Sequence, residues 1–187
     1  MTPLERTVAI LRRGGVVACP TETFVGLLAD ALQPAAVARV LEIKGRSARE
    51  PMAVLLPDAA AVTRVALPLS ASARALSERC WPGPLTLVTH ARAGLPAPLI
   101  RDGRIGLRVP GPSPALDLVR AFGGPLTATS ANRSGEAPSC SVEALPVALR
   151  AALDAEGPGE APGGAPSTVV DVTVDPPRVI RPGAVEL

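Results

Sequence analysis

Short apolar runs alternate with amphipathic segments along most of this chain. Near the N-terminus, Leu4, Val8 and Leu11 recur at helical spacing, and the threonine, proline and glutamate at 2–5 form a helix-capping sequence. The apolar run at 16–19 that follows has the length of a short buried strand. The chain is therefore predicted to open with a helix and then a strand, and a polar turn comes directly after that strand.

The same two patterns, a helical repeat and a short apolar run, predict the remaining elements. Because strands and helices alternate, we expect an α/β domain with an open twisted sheet and helices packed on it. Some neighbouring strands have no helix between them, so the sheet is predicted to be mixed. The predicted helices cover 34–44, 58–66, 70–80, 113–122 and 141–153, and the predicted strands cover 52–56, 85–89, 105–109, 126–129, 168–172 and 178–180.

The segment 156–166 differs in composition from the elements around it. It is rich in Gly, Pro and Ala, and we predict that it is a mobile loop. The 187 residues are enough for one domain with a sizeable core, and no internal repeat is found. We therefore expect residues 1–187 to form a single domain.

The composition argues against several classes of protein. Hydrophobic residues make up 47% of the chain and charged residues 19%, which is typical of a globular protein rather than a disordered one. No apolar run reaches the roughly 18 residues of a membrane span, and the N-terminus lacks the layout of a signal peptide. The three cysteines have no C-x-x-C spacing and there is a single histidine, so neither a disulfide framework nor a protein metal site is predicted. We expect a cytoplasmic protein with no membrane partner.

The basic residues are unevenly divided between the two types. Eighteen are arginines and one is a lysine, Lys44, while the net charge is only +2. In a chain that uses arginine almost everywhere, the remaining lysine is a candidate for a site that needs a compact ammonium group. The alternative, that Lys44 is a solvent-exposed residue at a helix end and was retained by chance, stays open at this point.

Familiar nucleotide-binding and hydrolase motifs are absent: there is no P-loop sequence, no G-x-G-x-x-G and no G-x-S-x-G. Small polar residues and cations instead follow the ends of predicted elements, where ligands collect in open α/β sheets. Hydroxyls, backbone N–H groups and several cations suit a polyphosphate together with a carboxylate. The residues concerned are Thr21, Thr23, Lys44, Arg46, Arg108, Ser130, Asn132 and Arg181.

Seven short sequence blocks in a fixed order resemble a known family. Among them, the K-x-R pair at 44–46 and the S-x-N pair at 130–132 form that family's signature. The chain resembles the YrdC/TsaC family of L-threonylcarbamoyladenylate synthases in its single-domain form. The resemblance implies an open, twisted, mixed sheet with a concave basic cavity. The blocks are 20–23, 44–46, 81–86, 107–110, 130–135, 167–171 and 181–183.

The resemblance implies a nucleotidyltransferase, threonylcarbamoyl-AMP synthase. In the family reaction the amino group of L-threonine is joined to bicarbonate, and the resulting carbamate attacks the α-phosphate of ATP and releases pyrophosphate. Mg²⁺ would accompany ATP, and tRNA or tRNA-modification proteins would accept the adenylate for modification next to the anticodon. Because the nucleophile belongs to the substrate, the protein's task is positioning and charge stabilisation.

The resemblance also implies roles for individual residues. Lys44 and Arg46 would be the catalytic cations, and Arg108 suits a bidentate grip on the threonine carboxylate. The implied nucleotide-binding residues are Lys44, Arg46, Ser130, Asn132 and Arg181. The implied threonine-binding residues are Thr21, Thr23, Arg108 and Ser167.

Four positions depart from the family pattern, and two other functions stay open. Relatives usually carry an aromatic residue at Val25, Asn or Lys at Glu50, a small hydroxyl residue at Arg104 and serine at Pro138. The first alternative function is a non-catalytic protein that binds structured RNA, as a maturation factor for tRNA or the ribosome. The second is a diverged paralogue, such as a carbamoyl-transfer domain.

Overall fold

The computed structural model describes residues 1–45, 52–132 and 136–187. None of the helices in these ranges has both the length and the apolar character needed to cross a bilayer. The α-helices of the described residues are α1 (Pro3–Arg12), α2 (Pro34–Lys44), α3 (Ala71–Cys80), α4 (Pro114–Phe122) and α5 (Val147–Arg150), and two 3₁₀ helices lie at Ala59–Arg64 and Ala97–Leu99.

The strands of the described residues form one mixed sheet in the order β7-β1-β2-β6-β3-β5-β4-β8-β9. Three neighbouring pairs are parallel, namely β1 with β7, β3 with β5, and β4 with β8. The other neighbours are antiparallel. The strands are β1 (Val17–Pro20), β2 (Val25–Leu28), β3 (Ala53–Leu55), β4 (Leu85–His90), β5 (Arg104–Arg108), β6 (Leu126–Ser130), β7 (Ala155–Glu156), β8 (Thr168–Asp171) and β9 (Arg178–Arg181).

The two faces of the sheet have different environments. On β5, Ile105 and Leu107 are almost completely buried in the main hydrophobic core, into which α1, α2 and α4 pack their apolar sides. A second cluster joins α3 to β4 and β8 through Leu85 and Leu87. Burying a side chain of this size contributes about 1.5–3 kcal/mol. Because side chains alternate along a strand, the residues between these positions face the other way, toward an open cavity.

Several predicted elements are confirmed. Helix α1 has the capping box: the Thr2 hydroxyl accepts from the Glu5 backbone N–H at 3.2 Å, and the Glu5 carboxylate accepts from the Thr2 N–H at 2.7 Å. Helix α2 covers the predicted range and ends at Gly45, whose φ of 61° is left-handed. The predicted mixed sheet with helices packed on it is also confirmed.

Two helix predictions were wrong in type or length. The segment 58–66 forms a 3₁₀ helix at Ala59–Arg64, because Ala66 must already pair with Ala91 beside the sheet. The segment 141–153 contains only the short α5. Proline at 146 disfavours helical backbone before it, and Ser141 pairs with Glu160 as an isolated bridge instead.

Strand β2 was not predicted at all. Gly26 interrupts its short apolar run, so the sequence pattern carried no strand signal beyond the polar turn. In the structure the turn joins β1 and β2 as a hairpin, with Cys19 opposite Gly26. This hairpin holds the polar turn at the edge of the cavity.

The segment 156–166 makes specific backbone contacts. Gly157 N–H donates to Ala18 O at 2.7 Å, and Gly163 N–H donates to Thr23 O at 2.8 Å. The second contact ties the segment to the polar turn between β1 and β2. The mobility of the segment stays a prediction.

Candidate active site

A cavity of about 850 Å³ opens on the face of the sheet opposite the main core. It is lined by residues of neighbouring strands, together with the turn at 21–24 and the residues at the start of β8 and the end of β9. Four arginines and one aspartate are among the described residues that line it, namely Arg101, Arg104, Arg108, Arg181 and Asp102. The cavity therefore favours an anionic ligand.

Small residues leave room at the floor of this cavity. Gly26, Ala53, Gly106 and Ala128 come from four different strands and all line it. A Cβ atom added at Gly106 would lie 3.3 Å from Thr86 Cγ2 and 3.6 Å from Ala53 Cβ. Larger side chains here would fill the space over the sheet, so the composition of these strands creates the cavity.

Lys44 lies at the end of α2 and is buried, with 3% of its surface exposed. Its ammonium group donates to the Ser130 backbone oxygen, to Ser130 Oγ at 3.3 Å and to Asn132 Oδ1 at 3.2 Å. Asn132 Nδ2 in turn donates to Glu136 O at 2.6 Å. Lys44 therefore anchors the turn after β6, and the solvated-surface alternative for this lysine is wrong.

Arg108 lies at the end of β5 and is also buried. Its Nη2 lies 2.6 Å from Glu22 Oε2 and 3.5 Å from Thr23 Oγ1. Within the described part of the chain, Arg108 Nε and both Glu22 carboxylate oxygens are buried without a well-aligned hydrogen bond. The two side chains are close but poorly aligned. These buried atoms therefore keep hydrogen-bonding capacity that an incoming ligand can use.

The polar turn between β1 and β2 is closed by its own hydroxyl group. Thr21 Oγ1 donates to Phe24 O at 2.7 Å and accepts from Thr23 N at 3.1 Å. Thr23 Oγ1 lies 3.1 Å from Thr21 Oγ1 and faces Arg108. Thr21 thus shapes the turn, and Thr23 is the hydroxyl beside the buried guanidinium.

Ser167 lies immediately before β8, and its hydroxyl contacts the side chains of Thr86 and Arg181. Its Oγ is 3.1 Å from Thr86 Oγ1 and accepts from Arg181 Nη2, also at 3.1 Å. Arg181 Nη2 donates to the Ser167 backbone oxygen at 2.8 Å as well. Partial burial of the guanidinium, with the nearby charge of Arg108, lowers the pKa of Arg181. Both arginines therefore contribute positive potential to the same part of the cavity.

Two titratable groups near the cavity have structural roles. Burial, with a smaller effect from Asp117, raises the pKa of the Cys19 thiol to about 12, which excludes it as a nucleophile near neutral pH. Burial by itself raises the pKa of Asp171, but hydrogen bonds from Thr173 and the charges of Arg104 and Arg178 outweigh it and lower the pKa. The ionised Asp171 holds Arg104 at 3.0 Å on the cavity wall.

The structure brings most of the predicted site residues to this one cavity. Thr21, Thr23, Arg108, Ser130, Ser167 and Arg181 line it, and Lys44 and Asn132 lie directly behind Ser130. Arg181, predicted to bind nucleotide, contacts Ser167, predicted to bind threonine, so the two predicted groups meet there. Arg46 lies outside the described residues, as does Glu50.

Three cavity or near-cavity residues received no role from the sequence. Glu22 and Thr86 lie inside recognised blocks, but nothing in the linear pattern shows that one pairs with Arg108 and the other with Ser167. Phe24 lines the cavity, so an aromatic ring is present there despite Val25. The one available signal for Thr86 was a hydroxyl residue between two leucines of a predicted strand.

A family model with the description telomere recombination, the Sua5/YciO/YrdC model, matches residues 9–183. The chain belongs to the Sua5/YciO/YrdC family. The resemblance inferred from the seven sequence blocks is therefore confirmed.

Members of the Sua5/YciO/YrdC family with curated names match at moderate identity. A threonylcarbamoyl-AMP synthase of Mus musculus is 44% identical over 144 residues, which cover 75% of this chain and 50% of that protein. A protein of the same name from Nitrosococcus oceani is 41% identical over 133 residues, which cover 70% of this chain and 71% of the relative. The chain thus spans half the length of the mouse relative and more of the bacterial one.

A solved Sua5 structure shares the fold over nearly the whole chain. The crystal structure of P. abyssi Sua5 complexed with L-threonine superposes with a TM-score of 0.88 at 33% identity. The match covers 96% of this chain and 54% of that one. The predicted YrdC-like α/β fold is therefore confirmed.

Proposed function

We propose that this chain is a threonylcarbamoyl-AMP synthase that forms threonylcarbamoyl-adenylate and pyrophosphate from L-threonine, bicarbonate and ATP. The observation that carries the proposal is the buried Arg108 guanidinium with Thr23 beside it, in a cavity rich in arginine. Relatives named for this activity, and a related protein crystallised with L-threonine, support it.

The Arg108 side of the cavity is the proposed site for threonine. A carboxylate suits a buried guanidinium whose Nε lacks a hydrogen bond within the described residues, because charge-assisted bonds relieve the cost of burying that group. Thr23 and Ser167 offer hydroxyls to the remaining polar atoms of the amino acid. Thr21 contributes by fixing the turn that carries Thr23.

The Ser130 side is the proposed site for the nucleotide. Lys44 holds the turn after β6 through three acceptors, so the Ser130 hydroxyl and the Asn132 amide are preorganised. The positive charge of Lys44 lies directly behind that turn, where it stabilises phosphate. Arg46 follows two residues later in sequence and is proposed to bind the same phosphates, with Arg181 contributing from the opposite wall.

The reaction is proposed to proceed by charge stabilisation and positioning. The threonine nitrogen forms a bond to the carbon of bicarbonate with loss of water, and a carboxylate oxygen of the resulting carbamate then attacks the α-phosphorus. The bond from that phosphorus to the bridging oxygen breaks, and pyrophosphate leaves with its electron pair. Arginines on two walls stabilise the negative charge that accumulates between the substrates.

Mg²⁺ is proposed to enter as part of the ATP substrate. This ion keeps several waters and binds mainly phosphate oxygens, so it needs few protein ligands. The described lining offers one carboxylate, Asp102, and no group of three potential metal-ligating His, Cys, Asp or Glu residues is found in the described part of the chain. The donor set fits a metal that arrives with the nucleotide. The product is proposed to pass to tRNA or to tRNA-modification proteins.

The test is pyrophosphate release by the purified chain with MgATP, bicarbonate and L-threonine. We expect release only when threonine and bicarbonate are both present, because the attacking group is assembled from the two. ATP turnover that is indifferent to threonine would indicate a diverged paralogue. RNA binding with no turnover would favour the structured-RNA alternative.

A further inference from the structure

Thr86 is buried on β4, and its side chain lies on the cavity side of the sheet. Its neighbours Leu85 and Leu87 point into the hydrophobic cluster under α3. A hydroxyl residue is thus placed on the cavity face between two core leucines. The proposed reaction assigns this hydroxyl no role.

A glycine on the neighbouring strand β5, diagonal to Thr86, leaves room for the side chain of Thr86. Its methyl group, Cγ2, packs toward Gly106, where an added Cβ would come within 3.3 Å. A β-branched side chain has few allowed χ1 values, so placing the methyl group also places the hydroxyl. Oγ1 then lies 3.1 Å from Ser167 Oγ.

Ser167 Oγ already accepts a hydrogen bond from Arg181 Nη2 at 3.1 Å. A serine hydroxyl has one proton to donate and two lone pairs that accept. If Thr86 also donates to it, both lone pairs are occupied. The proton of Ser167 is then the one part of that hydroxyl left for a ligand.

We propose that Thr86 is a positioning residue for the amino-acid substrate. It donates to Ser167 Oγ and thereby directs the Ser167 proton at an oxygen of the bound amino acid. This inference rests on the proposed function, since it assigns the Ser167 side of the cavity to threonine. Thr86 acts through Ser167 rather than through the nucleotide.

The experiment is direct L-threonine binding by calorimetry to the wild-type chain and to Thr86→Val, with ATP binding measured in parallel. Valine keeps the shape and removes the hydroxyl. We expect threonine affinity to fall about 2- to 10-fold, the range for one neutral hydrogen bond, with ATP affinity unchanged. Thr86→Ser keeps the hydroxyl but not the methyl group that places it, so it should restore part of the loss.

Thr89→Val is the matched control, because Thr89 is on the same strand, is only 5% exposed like Thr86, and is not among the residues that line the cavity. It should bind threonine as the wild type does. A double-mutant cycle with Ser167→Ala isolates the pathway: Thr86→Val should cause no further loss once the Ser167 hydroxyl is gone.

Three results would overturn the inference. Unchanged threonine binding by Thr86→Val is the first, and a full additional loss in the Ser167→Ala background is the second. Equal weakening of ATP and threonine binding is the third, since it would indicate a general structural defect. If the wild-type chain binds no threonine at all, the proposed function fails along with it, and that outcome is distinct from the other three.

Discussion

Arg108 and Lys44 are both buried cations, but their protein partners differ. Lys44 donates to three oxygens of the turn after β6, while Arg108 has one close carboxylate, Glu22, and a buried Nε without a hydrogen bond in the described part of the chain. Lys44 is thus anchored and Arg108 retains capacity for a ligand. We therefore expect Lys44 to support the site and Arg108 to bind substrate.

Replacing Arg108 by lysine tests whether this residue binds the carboxylate of threonine. The charge is kept, but a point donor replaces a planar fork, so about one charge-assisted hydrogen bond is lost. We expect the apparent affinity for threonine to fall about 10-fold or more, at about 1.5 kcal/mol per bond, with ATP affinity nearly unchanged. Steady-state kinetics with each substrate varied measures both values.

Arg92→Lys is the control for that substitution, because Arg92 is exposed and is not among the residues lining the cavity. It should behave as the wild type does. A variant Arg108→Lys that loses ATP affinity but keeps threonine affinity would place Arg108 at the nucleotide.

Removing the Lys44 side chain is expected to affect stability as well as activity. Lys44→Ala leaves buried oxygens of Ser130 and Asn132 without their charged donor, at a cost of about 1–3 kcal/mol in the free energy of unfolding. Urea unfolding measures that cost, and pyrophosphate release measures the loss of activity. Lys44→Arg should recover part of both, because it keeps the charge but not the compact shape.

Glu42→Ala provides the comparison on the same helix, since Glu42 is exposed. Its effect on unfolding should stay within about 0.5 kcal/mol. If Lys44→Ala unfolds like Glu42→Ala and retains full activity, the anchoring role is wrong.

At the residue scale, the sequence identified a residue of a rare type. It did not reveal contacts between residues that are far apart in the chain. The single lysine among eighteen arginines pointed to Lys44, and the structure shows it buried behind Ser130, which lines the cavity. The pairs Glu22–Arg108 and Thr86–Ser167 join residues more than 80 positions apart, and a linear pattern does not show such pairings.

At the scale of elements, the C-terminal turn is closely packed against the segment that carries Ser167. An added Cβ at Gly183 would lie 2.2 Å from Pro166 O and 2.6 Å from Thr168 N, both backbone atoms. Ala184 N–H donates to Pro166 O at 2.9 Å, and Thr168 Oγ1 donates to Val185 O at 2.8 Å. This segment therefore positions Ser167 as well as supplying Arg181.

Gly183→Ala is expected to displace that segment. Overpacking against backbone costs about 1–3 kcal/mol, and here the shift falls on Ser167 and Arg181. Threonine binding should weaken more than it does in Ala184→Ser, an exposed neighbouring control. A crystal structure or calorimetric titration of both variants checks this. Equal threonine affinities in the two would contradict the positioning role.

The segment 156–166 is expected to respond to ligands. Its amides at Gly157, Ala161 and Gly163 donate to backbone oxygens elsewhere, and Gly163 bonds to Thr23 beside Arg108. Hydrogen exchange should be fast across the rest of the segment and should slow when ATP and threonine are both present. Unchanged exchange under saturating ligands would contradict the expected response of this segment.

Element prediction succeeded where local signals are strong. The capping sequence predicted α1. The helical spacing of apolar residues, followed by a glycine, predicted α2. It failed at β2 and at 141–153, where pairing partners outside the segment decide the conformation: β2 is held between β1 and β6, and Ser141 is paired with Glu160.

At the scale of the whole molecule, the sheet separates packing from chemistry. One face buries leucines, isoleucines and valines against the helices, and the other presents small residues, hydroxyls and arginines, together with some apolar side chains, to a cavity of about 850 Å³. The family fold could be recognised from ordered sequence blocks because each block contains a described residue that lines the cavity or lies directly behind it, not because of the core pattern. The shape of the cavity, which depends on the order of the nine described strands, could not be predicted from the sequence.

The most direct test of this account is the mass of the nucleotide product formed with MgATP, L-threonine and ¹³C-bicarbonate. The account predicts one adenylate that contains threonine and a carbonyl carbon derived from bicarbonate, heavier by about one mass unit than the product made with ordinary bicarbonate. Its amount should equal the pyrophosphate released. Formation of ADP, or of AMP without threonine and without the label, would contradict the assignment of the cavity to threonine and ATP together.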